Sequence, residues 1–408
     1  MRKEYGNIIV FLITLSLLGS LNAFIASRPA VSQLENRVLK TRPEIDMAEL
    51  FSGVYFRNYE EYFADNFIFR EQMVRISRAI KEFRGIPGRE SAYIVTHHGA
   101  NVFQGKEQQA VDSAMQASVF VKGDKGMEIH RFNEEASSYY SEVINTFAAK
   151  VADDVQVYSM LVPTQIEYLA GEKYRKLSSP QKATIEYIDR NYASTVKPVN
   201  VYDVLQRHAD EYIYFRTDHH WTALGAYWAY TEFIKSRGEE VIPLDWYEKA
   251  EIEYFLGSTY STTLSESLKV NPDKVIYYLP FITHQYQVYY QTEPVTLELL
   301  ALNDAKQTNK YGVFLGGDQP LGHIITNVKN NKRIVVIKDS YGNAFVPFLL
   351  PHYEEIYVLD PRLYDKDVYE LLAKKDITEV LFLNYVMSMD NKGFAELLAN
   401  RLSLTNLD

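Results

Sequence analysis

RIVVIKDSYGNAFVPFLLPHYEEIYVLDPR, residues 333–362, is the stretch on which the fold turns. It opens with Ile334, Val335, Val336 and Ile337, four β-branched residues in a row. A run without polar alternation is a strand buried on both faces. Residues 343–350 then read as a short helix, with Pro347 near its start, and EIYVLD, residues 355–360, as a second strand. Further on, Val368, Leu371 and Leu372 mark the inner face of a helix over 365–374, and EVLFLN, residues 379–384, is a third strand. Strands alternating with helices predict an α/β fold, a parallel sheet with helices on both faces.

Working back from there, the same rhythm recurs. Phe132, Ala136, Tyr139, Val143, Ile144, Phe147 and Val151 share one face of a helix over 132–151, which feeds a buried strand, VQVYSMLV, at 155–162. Ser179-Pro180 supplies an N-cap and a first-turn proline for the next helix. Residues 199–202 read as a short strand, and 223–235 as a helix closed by Gly238. Residues 254–319 are different in kind. They are rich in Tyr, Thr and Gln, with β-leaning runs such as VIYYL and YQVYY, and predict an insertion or antiparallel patch standing over the main sheet.

Toward the N-terminus, residues 47–84 carry helical spacing and stop at Gly85, Pro87 and Gly88. Residues 92–95 and 101–103 read as two short strands joined at His97-His98-Gly99, a turn rather than a metal site. Residues 8–24 form an uncharged apolar run of 17 behind Arg2 and Lys3. A bilayer core needs about 20 such residues, with about 17 as the lower limit, so the run can span. The basic pair puts the N-terminus in the cytoplasm and the body outside. Leu21-Asn22-Ala23 is a poor cleavage site, which favours a signal anchor; a cleaved signal and secretion is the alternative. Four segments follow: an anchor at 1–26, a linker at 27–46, a helical and hairpin region at 47–130 packed on the core, and the α/β domain at 131–408 with a Tyr-rich β insertion at about 251–330.

Composition narrows the function. A net charge of −10 argues against a nucleic-acid partner. With no cysteine, thiolate metal sites and a cysteine nucleophile are excluded. The 32 tyrosines serve either packing or a groove where sugar faces stack.

The chemistry collects at two places. In an open parallel sheet, ligands gather at the carboxyl ends of the strands, and there Ser340, Arg362 and Asn384 fall on consecutive strands. Ser340 on a strand-to-helix turn presents its oxygen at the sheet edge, with the following backbone N–H groups aimed at the same place; Asn384 could donate to an oxyanion, and Arg362 could do so or bind a substrate anion. Blander duties compete: Ser340 or Asp339 as a helix cap, Asn384 as a strand end, Arg362 paired with Asp360 or Asp365. TDHHWTALGA, residues 217–226, supplies the proton carrier. In an extended segment Asp218 and His220 share a face, His219 points away as a structural residue, and Trp221 packs beside the imidazole it follows. A metal held by Asp218, His219 and His220 is the rival reading; adjacent histidines rarely converge on one ion, and neither metal nor cofactor is expected.

These residues resemble the bacterial DHHW-motif family, which is similar to the SGNH-hydrolase-like proteins of alginate-type polysaccharide O-acetylation. The likeness rests on TDHHWTALGA, on KDSYGNAFVPFLLPHYEEIYVLDPR, and on EYFADNFIFR with GIPGRESAYIV near the N-terminus. It implies an SGNH-like three-layer α/β fold with the motif order rearranged, Ser340 as nucleophile, His220 as general base and Asp218 as its orienting acid. Asn384 would take the oxyanion-hole asparagine's place, with Arg362, Tyr341, Asn343 and Trp221 as further oxyanion or substrate-binding residues. Where SGNH enzymes have a glycine after the second strand, this chain has Asp360-Pro361-Arg362. The family implies a membrane-bound O-acyltransferase as acyl source and a polysaccharide acceptor. The expected activity is O-acetyl transfer through an acyl-serine; an acetyl esterase and a non-catalytic glycan-binding or assembly protein are the alternatives.

Overall fold

The computed structural model describes residues 39–73, 92–96, 118–302 apart from Thr292, and 309–402, with scattered positions between 13 and 38 and between 76 and 80. Two compact units emerge, one drawn from 1–88, 101–103 and 264–266, the other from 89–100, 104–263 and 267–408. The second expected strand at 101–103 and most of the apolar run at 8–24 lie outside the described residues. Among the described residues no helix is long and apolar enough to cross a membrane.

In the smaller unit the expected long helix is broken. α1 (Met47–Ser52) and α2 (Val54–Asp65) meet at Gly53, whose φ of +79° is a left-handed value suited to glycine. Asp46 caps α1 by accepting from the N–H groups of Ala48 and Glu49.

The larger unit holds β1 (Ala92–Thr96), β2 (Ser118–Lys122), β3 (Lys125–Glu128), β4 (Gln156–Val162), β5 (Val196–Pro198), β6 (Glu248–Phe255) and β7 (Asp273–Leu279). It continues with β8 (His284–Tyr289), β9 (Pro294–Leu297), β10 (Leu321–Thr326), β11 (Arg333–Lys338), β12 (Glu355–Leu359) and β13 (Glu379–Tyr385). Its helices include α3 (Glu134–Lys150), α4 (Gln181–Arg190), α5 (Ala223–Ser236), α6 (Val368–Lys374) and α7 (Gly393–Arg401).

Eight strands form one mixed sheet in the order β9-β8-β10-β12-β11-β13-β4-β5. The run from β12 to β5 is parallel, whereas β10, β8 and β9 add to its edge antiparallel. That corrects the expectation of a wholly parallel sheet. It also relocates much of the Tyr-rich segment, which extends the main sheet edgewise instead of standing over it; β6 and β7 pair separately. The short strand expected at 199–202 falls three residues earlier, as β5.

Along β11 the apolar run divides by alternation. Ile334 and Val336 pack on one face with α5 and the segment after Ser340, while Val335 and Ile337 pack on the other with α3, α4, α6 and α7. The helix expected at 343–350 is a single turn, Gly342–Phe345, followed by a tighter 3-10 stretch, Val346–His352. Pro347 and Pro351 lack the N–H groups an α-helix would need there. Ser179 does not cap α4; its hydroxyl accepts from the Phe132 N–H.

Candidate active site

The chain leaves β11 through Asp339, Ser340 and Tyr341. Asp339 is buried and pins this turn: one oxygen accepts the Tyr341 N–H at 3.0 Å, the other the Tyr385 N–H at 2.8 Å. Ser340 caps nothing. Its Oγ lies 2.7 Å from His220 Nε2, and His220 Nδ1 lies 2.6 Å from Asp218 Oδ1. The two motifs, 120 positions apart, therefore meet as hydroxyl, imidazole and carboxylate.

The Asp218–His220 unit is not extended, as the sequence suggested. Asp218 Oδ1 also accepts the His220 backbone N–H at 2.9 Å, an Asx turn that folds the loop back on itself. Tyr214 bridges to Trp221 across the loop's base. Asp273, at the start of β7, anchors its entry by accepting the N–H groups of Arg216 and Thr217 and the hydroxyls of Thr217 and Tyr212. Gly257 closes the rear: the Ser258 N–H donates to Asp218 Oδ2 at 2.8 Å, and a side chain at 257 would run into the Asp218 carboxylate.

A family described as DHHW protein matches residues 97–359. The chain belongs to that family. The four signature residues are Asp218, His219, His220 and Trp221. Among solved structures, a DHHW family protein from Eubacterium siraeum superposes with a TM-score of 0.62 at 32% identity, covering 70% of this chain and 95% of its own. PatB1 of Bacillus cereus follows at 0.59 and 22%, covering 68% and 98%; a second PatB1 structure, with a sulfonyl adduct, superposes at 0.58 and 20% over the same shares. At those identities PatB1 shares the fold. No curated protein matches the chain.

In this DHHW protein the ring stacked on His220 is Tyr311, 3.8 Å away and nearly parallel to it, with its hydroxyl on the Ser340 carbonyl at 3.0 Å. Trp221, expected beside the imidazole, is fully buried against Tyr341 and Phe345 and donates its indole N–H to the Tyr341 carbonyl. His219 does not point away: its ring lies 3.8 Å from that of His220, with Nδ1 on Ser258 Oγ at 2.5 Å.

Four more expectations are corrected by burial and by prior engagement. Tyr341 is fully buried with its hydroxyl donating to the His219 carbonyl. Asn384 is likewise buried, its amide donating to Asp339 and its carbonyl accepting from Tyr140, so it braces the turn. Asn343 donates to Asp318. Arg362 binds Asp360 and Asp318, which Lys338 also joins. These residues brace the turn and the sheet edge around Ser340. The backbone donors differ from expectation too. Tyr341, Gly342 and Asn343 N–H groups are spent on Asp339 and Ser340, whereas the Ser340 N–H makes no hydrogen bond among the described residues.

Burial opposes ionisation of Asp218, but the charge and hydrogen bond of His220, the charge of His219 and the Ser258 N–H outweigh it and hold the carboxyl well below its usual value. Burial, then the neighbouring His220, lowers His219. Burial raises Asp339 above its ordinary value despite Arg362. Asp218, His219 and His220 each offer a metal-ligand atom within 4.8 Å of the others. A cation there would have to displace the Asp218–His220 and His220–Ser340 hydrogen bonds. Asp273, Ser258, Tyr311 and Asp318 were missed from sequence; each lies in the aperiodic segments between the two motifs.

Proposed function

We propose that this protein is an exported serine-dependent O-acetyltransferase that moves acetyl groups onto hydroxyls of a cell-surface or extracellular polysaccharide. The observation that carries the reading is the linear relay of 2.7 and 2.6 Å from Ser340 Oγ through His220 to Asp218. A neutral imidazole at hydrogen-bond distance takes the serine proton as Oγ attacks an acyl carbonyl, and Asp218 supports the imidazolium. The Ser340 N–H, without an acceptor of its own, is the donor available to the oxyanion, a contribution of about 3 kcal/mol in favourable cases. The leaving group departs with the proton from His220, leaving acyl-Ser340. A sugar hydroxyl then gives its proton to His220 and attacks the ester, and Ser340 recovers the proton.

Export and tethering rest on the apolar run at 8–24, with the body on the extracellular side. The acyl source consistent with family resemblance is a membrane-bound O-acyltransferase. Incubation with 4-nitrophenyl acetate and a panel of oligosaccharides tests the reading. Acetyl found on the sugar supports transfer; free acetate alone makes the protein an esterase, and no turnover leaves a glycan-binding protein.

A further inference from the structure

Tyr311 lies on the connection between β9 and β10, in a single 3-10 turn, Lys310–Val313, and the relay above leaves it without a task. That turn is pinned from two sides. Lys310 Nζ donates to the carbonyls of Glu253 and Tyr254 at 2.6 and 2.8 Å, and the Ala301 N–H donates to the Val313 carbonyl at 2.8 Å. The Tyr311 side chain is buried. Burial, with Asp218, Asp318 and Asp339 nearby, pushes its phenol well above the usual value, so the hydroxyl keeps its proton and donates it to the Ser340 carbonyl at 3.0 Å.

The neighbours of this ring divide by geometry. Phe215 and Phe314 meet it edge to face, at 88° and 65°. Neutral aromatic rings favour that arrangement, along with offset stacks, at centroid separations of roughly 4.5–7 Å. His220 is different: its ring lies within 7° of parallel at 3.8 Å, closer than that range. The His219 ring stands at the same 3.8 Å from His220. Two rings that near one imidazole cannot share a face, so Tyr311 and His219 clamp it from opposite sides. Asp218 and Ser340 hold its two nitrogens at opposite edges, which leaves rocking about the line between them for the clamp to suppress. The two faces differ in what they offer a charge. Burial and the neighbouring His220 depress His219, which keeps that ring neutral, whereas Tyr311 presents the negative face of a buried phenol.

We propose that Tyr311 is a positioning residue that acts through His220: it fixes the plane of the imidazole and, through its π face, stabilises the imidazolium formed when His220 holds the serine proton. Asp218 meets that charge at the ring's edge, and Tyr311 meets it at the face. The charge arises as Ser340 Oγ bonds to the acyl carbon and its proton moves to His220 Nε2. It vanishes when the leaving oxygen parts from that carbon and takes the proton. An attraction present only in between lowers the barrier without tightening substrate binding. Desolvation makes a cation–π contact strong, and both rings here are buried. This inference rests on the acyl-serine reading above.

The test varies the ring's electrons at nearly constant shape. The full chain with Tyr311→Phe is compared with chains carrying mono-, di- and trifluorinated phenylalanine at 311, and the burst of nitrophenol from 4-nitrophenyl acetate is timed. Fluorine draws charge from the ring face and barely alters its packing. The saturated burst rate should fall stepwise along the series, to about a tenth of the Tyr311→Phe rate with three fluorines, and as far in Tyr311→Leu. The substrate concentration for half-maximal burst should stay within about twofold throughout, and Tyr311→Phe itself within about threefold of the wild-type rate. A flat series in chains of equal Tm overturns the inference. So does a burst already lost in Tyr311→Phe, which would make the hydroxyl the working group. Absence of any burst from wild type removes the acyl-serine reading, and the inference with it.

Discussion

Trp221 donates its indole N–H to the Tyr341 carbonyl across 2.9 Å, and Tyr341 returns its hydroxyl to the carbonyl of His219. Each of these aromatics directly follows the residue whose side chain it holds in place, His220 in one motif and Ser340 in the other. The latch is reciprocal, buried and independent of the Ser340–His220 contact itself.

Loss of half the latch has a defined cost. Trp221→Phe keeps most of the ring but strands a buried carbonyl, which destabilises by about 1–3 kcal/mol. Thermal denaturation reads this directly. Turnover of 4-nitrophenyl acetate at low temperature should fall as well, because the Ser340–His220 distance is no longer enforced.

Asp218→Asn should cut turnover by about 10³- to 10⁴-fold with the fold intact. The amide presents N–H to a place where Asp218 now receives donors on both oxygens: the two from His220 on Oδ1 and the Ser258 N–H on Oδ2. Steady-state kinetics with circular dichroism separates lost chemistry from lost structure.

The same carboxylate sets a pH signature. Its folded-state pKa is depressed below the ordinary 3.8, so the folded protein holds that proton more weakly than the unfolded chain. The stability it contributes is complete above about pH 4 and is lost as pH falls below that through the folded-state value. The Tm gap between wild type and Asp218→Asn should stay level from roughly pH 8 to 5 and narrow below about pH 4.

Gly257→Ala tests close approach. The added methyl meets the Asp218 carboxylate, so the residue must move and the His220 ring loses its orienting partner. Turnover is expected to drop by about a hundredfold or more, with a Tm loss smaller than that of Trp221→Phe. Unchanged turnover would mean that the loop yields without disturbing His220.

How far the sequence anticipated this arrangement follows from the range of the forces involved. The β-branched run 334–337 declares its own burial, and Asp218, His220 and Ser340 are chemistry-bearing residues in compact motifs. The Asx turn that brings Asp218 to His220 was open to reading, since Asp favours it, but alternation suggested an extended segment. Tyr311 is one of 32 tyrosines, in a segment without period, and only tertiary folding sets it against His220. Asp273 and Asp318 act on residues 20 to 61 positions distant, where spacing carries no information. Asn384 and Arg362 were placed at the right sheet edge, yet strand ends say nothing about whether Asp339, Asp360 and Asp318 have already claimed their donors.

The central claim is that His220 makes Ser340 a nucleophile. Mass spectrometry of the chain treated with a fluorophosphonate tests it most directly. The account predicts a single adduct on the peptide carrying Ser340, absent from Ser340→Ala and formed at least about a hundredfold more slowly in His220→Ala. An unlabelled wild type, an adduct elsewhere, or equal rates with and without the imidazole would contradict it.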